Sequence, residues 1–302
     1  MSKKVKIKIK KKNFTIFILI ILLMISLTCK ISTKVYYLLT KQKDKATSIK
    51  KNDKKEDERL KKLNNIDKKI SYFNYKYINR YIKYKDKNNN LTDEKIILHV
   101  NIGIDNEFYT NTKISKNLNK NIILVNKYNY LPSDYIPNNL ETINNSYARS
   151  GMKLVEEAKN QFEVMAKAAE KEKLKLIVTS SYRSYEYQEN LYNSYVRKEG
   201  KEAADTYSGR PGFSEHQTGL AVDLYNGKED YTNFENTEEF NWMQKNAHKY
   251  GFILRFPKDK EFLTGYTYES WHYRYVGQQI ATYIHDNNLC YEEYYAMFVE
   301  IN

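Results

Sequence analysis

Ser208-Gly-Arg-Pro-Gly-Phe-Ser-Glu-His-Gln-Thr-Gly-Leu-Ala-Val-Asp223 decides how the rest of this chain is read. It sets His216 and Asp223 seven residues apart with Gly219 between them. That spacing exceeds the i, i+3 or i, i+4 pairing of a single helical turn. The two side chains meet only if a glycine-containing loop returns into a strand, and Thr218–Tyr225 reads as that strand. A zinc site takes about four ligands from imidazole, carboxylate or thiolate groups, and a catalytic one keeps a position for water.

Working outward, Leu174–Ser180 reads as a buried strand running into Ser180-Ser-Tyr-Arg-Ser-Tyr-Glu-Tyr-Gln188, with a helix over Tyr185–Lys198. On the other side, Glu269-Ser-Trp-His-Tyr273 leads a strand over Trp271–Val276. His272 could supply a third ligand from that strand, and two His with one carboxylate and water make a hydrolytic zinc site. Glu269 is the candidate general base, since a carboxylate beside metal-activated water can take its proton. At odd spacing on an extended chain Glu269 and His272 would face opposite sides, so the segment must bend. Trp271 would wall the site. Arg183, placed after a strand and before a helix, suits a bidentate clamp on a substrate's terminal carboxylate. Gln188 and Ser214 could add neutral hydrogen bonds. Each feature alone has a plainer reading: the His-x6-Asp pair as structural, Ser214-Glu-His-Gln217 as a capped turn, Trp-His-Tyr as core, Arg183 as a surface ion pair.

The remaining pattern mixes strands and helices without a strict β-α-β rhythm, which indicates an α+β domain. Asn121–Val125 reads as a short strand, residues 147–171 as one long helix, and residues 237–250 as another. Phe252–Phe256 reads as a strand, and a helical region follows Gly277. Residues 71–120, with a strand-like run at Lys95–Ile104, read as an N-terminal extension without assignable chemistry.

The net charge of +13 invites a nucleic-acid partner, but its placement argues against one. Residues 1–70 hold 21 Lys or Arg against 6 Asp or Glu, whereas residues 71–302 hold 29 against 31. A nearly neutral domain offers no basic groove for phosphates, so no nucleic acid is expected as a partner. The excess belongs to a lysine-rich start, an uncharged Phe14–Cys29 run and a charged spacer. Sixteen uncharged residues at ~1.5 Å each span ~24 Å, short of a ~30 Å bilayer core, but Lys30 and Lys34 can snorkel and Val35–Leu39 extends the run. We therefore expect a cytoplasmic tail and transmembrane anchor over 1–39, a linker over 40–70, the extension over 71–120 and a catalytic domain over 121–302. The cationic start places that domain outside the cell membrane, as a single-pass protein. A cleaved secretory signal and a lipoprotein signal ending at Cys29 are the rivals; no Ala-x-Ala site follows, and Ser26-Leu27-Thr28 fits a lipobox poorly. Cys29 and Cys290 are the two cysteines and form no disulfide framework.

The patterns S-x-Y-R-S, S-x-R-P-G-x-S-E-H-x-T-G-L-A-x-D and E-x-W-H-Y across residues 180–273 resemble the VanY-type D-alanyl-D-alanine carboxypeptidase family of zinc metallopeptidases. Val125-Asn-Lys-x-x-x-Leu-Pro-x-x-Tyr135 also looks like that family's leading segment, so the resemblance covers about residues 121–300. It implies Zn2+ held by His216, Asp223 and His272, with Glu269 as catalytic base. It implies substrate contacts around Arg183, Gln188 and Ser214. The implied fold is the α+β one shared by D-Ala-D-Ala metallopeptidases and Hedgehog-like domains. The implied activity is removal of terminal D-alanine from peptidoglycan stem peptides. L,D-carboxypeptidase, endopeptidase and non-catalytic wall-peptide-binding readings stay open beside it. His99, His248 and His285 match no family position.

Overall fold

The computed structural model describes residues 69–228 and 230–300. The anchor expected over 1–39, and all but the last two residues of the expected linker, lie outside the described residues. Among the described residues no helix is long and apolar enough to cross a membrane.

The extension is helical, which corrects the strand expected at Lys95–Ile104. Helix α1 covers Ile78–Lys87 and α2 covers Asp93–Ile102. The Thr92 hydroxyl caps α2 by accepting the Lys95 N–H at 3.3 Å, Asp93 and Glu94 sit in its first turn, and Gly103 at φ 110° ends it. Ile96, Ile97, Leu98, Val100, Asn101 and Ile102 are all buried. A helix buried on nearly every face has the same continuous apolar run as a buried strand, so periodicity could not separate them.

Two small pairings follow. Strand β1 (Lys113–Ile114) lies parallel to β2 (Asn129–Tyr130), and β3 (Leu140–Thr142) lies antiparallel to β4 (Lys153–Val155). The strand expected at Asn121–Val125 does not form; those residues run as turn and coil. The helix expected over 147–171 begins only at Glu156. Gly151 at φ 83° turns the chain, and Lys153–Val155 pairs with β3 instead of coiling. Helix α3 (Glu156–Lys171) presents Ala158, Phe162, Met165, Ala166 and Ala169 to the core, a helical spacing. Burying a Phe or Met side chain contributes about 1.5–3 kcal/mol, which holds α3 against the sheet.

The main sheet has the order β5-β6-β8-β7, antiparallel throughout: β5 Ile177–Ser180, β6 Ala221–Tyr225, β8 His272–Tyr275 and β7 Phe252–Leu254. Val178, Val222, Leu224, Phe252, Tyr273 and Tyr275 join Phe162 and Met165 in one core. Helices α4 (Tyr185–Glu199) and α5 (Lys201–Tyr207) follow β5. The helix expected over 237–250 is α6 (Glu238–Asn246) continued by a 3-10 turn, Ala247–Tyr250. A single turn, α7 (Glu261–Thr264), precedes β8; α8 (Gln278–Asp286) and α9 (Tyr291–Phe298) close the chain. Ala296 of α9 packs with Leu98 and Ile102, joining the extension to the end of the chain.

Candidate active site

Strand register brings the first two site residues together. Asp223 on β6 stands directly opposite His272 on β8, and directly opposed residues share one face of the sheet. His216 arrives from a 3-10 turn, Glu215–Thr218, that Gly219 joins to β6 at φ 67°. A Cβ at Gly219 would come within 2.8 Å of Leu140 Cδ2, so only glycine makes this return. The Glu269–Trp271 segment bends ahead of β8, and Glu269 Oε2 comes within 3.4 Å of His272 Nδ1. Arg183 is fixed just before α4, whose cap is Ser184 Oγ accepting the Tyr187 N–H at 3.1 Å. The Arg183 backbone N–H donates to the His216 carbonyl at 3.2 Å, tying this turn to the His216 loop.

The ligating atoms of His216, Asp223 and His272 lie within 4.8 Å of one another. His216 Nδ1 donates to the Ser181 carbonyl at 2.7 Å, which fixes the tautomer and leaves Nε2 as a lone pair. That Nε2 is buried without a hydrogen-bond partner, 3.4 Å from Asp223 Oδ2. Asp223 Oδ1 is 3.1 Å from His272 Nδ1 but off a hydrogen-bonding line, so it too is a buried acceptor without a donor. Orphaned buried polar atoms are costly. Two nitrogens and a carboxylate oxygen converging in this way match the donor set of a zinc ion.

The charges around these atoms are arranged with equal care. Burial, reinforced by the Arg183 guanidinium, pushes the His216 imidazole down to about 4, so it is neutral and ligand-competent at pH 7. Burial alone would lower His272 as well, but the Asp223 and Glu215 carboxylates hold it up at about 9. Burial raises the Glu269 carboxyl to about 8. The Asp223 carboxyl is held well below the usual range by His216 and His272 in spite of its burial.

Behind His272 lies a fully buried network that the sequence did not announce. Glu215 Oε1 pairs with His272 Nε2 at 2.9 Å, and Oε2 accepts from Arg255 Nε at 2.8 Å and Arg274 Nη1 at 3.1 Å. Arg255 also holds Glu292 of α9 through two bonds of 2.8 and 2.6 Å. Both arginines have no exposed surface. Their guanidiniums hold Glu215 ionised despite its burial. A carboxylate on the outer nitrogen of a ligand imidazole fixes its orientation and raises its basicity. Two signals were present in the sequence. Glu215 adjoins His216, and Arg274 sits two residues beyond His272. Nothing local marks Arg255 or Glu292.

The expected substrate contacts are placed as follows. Arg183 lines a cleft of about 520 Å3 together with Tyr187, Tyr195, Tyr231, Trp271 and Glu269. Its Nη1 donates to Gln188 Oε1 at 3.0 Å and its Nη2 lies 3.6 Å from Asp223, while Nε is buried with no partner. Gln188 is buried and its amide nitrogen donates to the Gly209 carbonyl at 2.7 Å, so it orients Arg183 against the cleft wall. Ser214 is buried at the head of the His216 turn and also lines the cleft. Trp271 meets Tyr231 edge to face at 5.2 Å and walls one side.

The VanY family, described as D-alanyl-D-alanine carboxypeptidase, matches residues 151–278. The putative carboxypeptidase YodJ of Bacillus subtilis (strain 168) is 42% identical over 187 residues, covering 58% of this chain and 66% of that relative. The chain thus spans just under two thirds of that protein. The solved LdcB LD-carboxypeptidase is 39% identical, with a TM-score of 0.58 over 62% of this chain and 91% of its own. A vancomycin-resistance D,D-pentapeptidase VanY from a VanB-type cassette, solved in complex with Zn(II), is 34% identical, with a TM-score of 0.51 over 58% of this chain and 98% of its own. The mixed α and β fold is shared with these zinc peptidases, and the chain belongs to the VanY D-alanyl-D-alanine carboxypeptidase family.

Proposed function

We propose that this chain is a zinc-dependent carboxypeptidase that removes terminal D-alanine from peptidoglycan stem peptides. The observation that carries this reading is the convergence of two orphaned imidazole and carboxylate positions with Glu269 and Arg183 in one cleft. His216 through Nε2, Asp223, and His272 through Nδ1 hold the metal. When bound, zinc supplies a Lewis acid for the scissile carbonyl, lets water ionise near neutral pH, and favours the ionised form of nearby Glu269. Glu269 accepts a proton from the attacking water and returns it to the departing amide nitrogen, so the proton count closes within one turnover. Arg183 offers the face of its guanidinium that lines the cleft to the peptide's terminal carboxylate, and Gln188 keeps it aimed. Ser181 and Glu215 keep the two imidazoles from rotating, and Trp271 and Tyr231 shield the bond being cut.

The likeness to the LdcB LD-carboxypeptidase supports a second reading, in which the same residues cut an L,D bond. The deciding experiment digests defined stem tetrapeptides and pentapeptides with the full chain, with and without chelator, and identifies products by mass spectrometry. Loss of D-alanine from the pentapeptide supports the D,D reading, and from the tetrapeptide the L,D one. Release that persists in chelator overturns both.

Attachment to the cell membrane, with the catalytic domain outside, remains part of the proposal. It is supported by the seven lysines in residues 1–12 followed by the uncharged Phe14–Cys29 run. Fractionation with protease shaving of intact cells tests it; a domain protected from external protease refutes it.

A further inference from the structure

Two histidines that the proposed reaction does not use lie against each other elsewhere in the fold. His248 belongs to the 3-10 turn Ala247–Tyr250, and His285 to the last turn of α8. Their rings stack with centroids 3.8 Å apart and planes 19° from parallel. The His248 Nδ1 is buried and has no hydrogen-bond partner. His285 Nδ1 is 2.9 Å from Asp286 Oδ1, and one ligating atom from each of the three residues falls within a 4.8 Å span.

Three physical features favour a cation at this cluster. Two imidazoles in face contact repel if both are protonated, so at least one stays neutral and free to ligate. Burial lowers the His248 imidazole further, in the same direction. The cluster also sits at the C-terminal end of α8, where the helix dipole concentrates negative potential, and Asp286 adds a full negative charge. The donors are two nitrogens and one carboxylate oxygen, a set that suits zinc, nickel or copper and not calcium or magnesium.

We propose that His248, His285 and Asp286 form a second transition-metal site that clasps the end of α8 to the turn preceding β7. Donors around a tetrahedral zinc lie ~3.3 Å apart and imidazole lone pairs lie in the ring plane, so the side chains must draw in from their present span and one ring must turn out of the stack. His285 and Asp286 have the freedom to do so, with side chains 43% and 61% exposed. The turn after α6 leads directly into β7, the edge strand next to β8. A metal here therefore braces the sheet edge that carries Arg255 just beyond Leu254, without touching the reacting atoms.

Zinc titration of the full chain against a chromophoric chelator tests the site. Two zinc ions bind per chain, the second more weakly. His285→Ala reduces the count to one and leaves peptide hydrolysis unchanged. Asp223→Asn also reduces it to one, and the ion left in that variant disappears on adding His285→Ala. Asp286→Asn, a change on an exposed side chain, weakens the second ion about tenfold without altering the fold seen by circular dichroism. A wild-type count of one with hydrolysis intact overturns the second site alone. A wild-type count of two that His285→Ala leaves at two overturns it equally. Chelator-insensitive hydrolysis would instead overturn the proposed catalytic site.

Discussion

Replacing Glu215 with Gln tests the buried network directly. The Glu215 carboxylate receives three charge-assisted contacts: His272 Nε2 at 2.9 Å, Arg255 Nε at 2.8 Å and Arg274 Nη1 at 3.1 Å. The amide has one acceptor where the carboxylate has two. If its oxygen faces the arginines, its NH2 meets His272 Nε2. The imidazole must then carry its proton on Nδ1, the atom proposed to hold zinc. If its oxygen faces His272, the NH2 meets two guanidiniums and finds no acceptor. Removing one partner from a buried charge cluster costs about 3–5 kcal/mol, and Glu292 alone is left to balance both arginines. Loss of an outer partner of a metal-bound imidazole lowers metal affinity by about 10–100-fold. We therefore expect the Glu215→Gln chain, stripped of metal, to unfold at a lower urea midpoint, and to bind zinc at least tenfold more weakly in chelator competition. A chain that keeps both its midpoint and its zinc affinity would refute the reasoning, because the one arrangement of the amide that satisfies all three neighbours puts the His272 proton on the nitrogen proposed to hold zinc.

Glu269→Gln should lower turnover by about 10²–10⁴-fold, the usual contribution of a positioned general base, while zinc affinity stays near wild type; D-alanine release and chelator competition measure the two. Arg183→Ala should weaken kcat/KM for free-carboxylate peptides by about 1.5–3 kcal/mol, the worth of a charged hydrogen bond, and change nothing for C-terminally amidated ones. Lys127, buried beneath Tyr266 and Phe108, has its ammonium pushed from 10.5 down to about 8 by burial. Between those two values the unfolded chain binds the proton that the folded chain has lost, so wild type should gain stability relative to Lys127→Met as pH rises through that window. Urea midpoints at pH 7, 8, 9 and 10 read this, and a flat difference contradicts it.

The parts of the site that could be read from the chain share one property: they sit in short runs where neighbours restrict one another. His216, Gly219 and Asp223 fall in one segment, and Glu269 and His272 in another, so a loop-to-strand return and a bend were both foreseeable. Helices failed where the local signal was ambiguous. The apolar run of α2 looks like a strand because the helix is buried on nearly all sides. Helix α3 begins later than its apolar pattern predicts because residues 153–155, which precede it, pair with β3.

The sequence by itself determined the chemistry available to this protein. It holds the His216, Asp223, His272, Glu269 and Arg183 side chains that the proposed reaction uses, with the basic excess confined to the first 70 residues. Only the tertiary structure decided what holds those groups in place. Arg255, just beyond β7, and Arg274 of β8 meet Glu215, Glu292 of α9 closes on Arg255, and His248 meets His285 across a turn and a helix end. Long-range charge pairing of this kind leaves no periodicity in the chain. It depends on burial, which removes water from competition and makes each guanidinium or carboxylate require a partner wherever the fold happens to bring one.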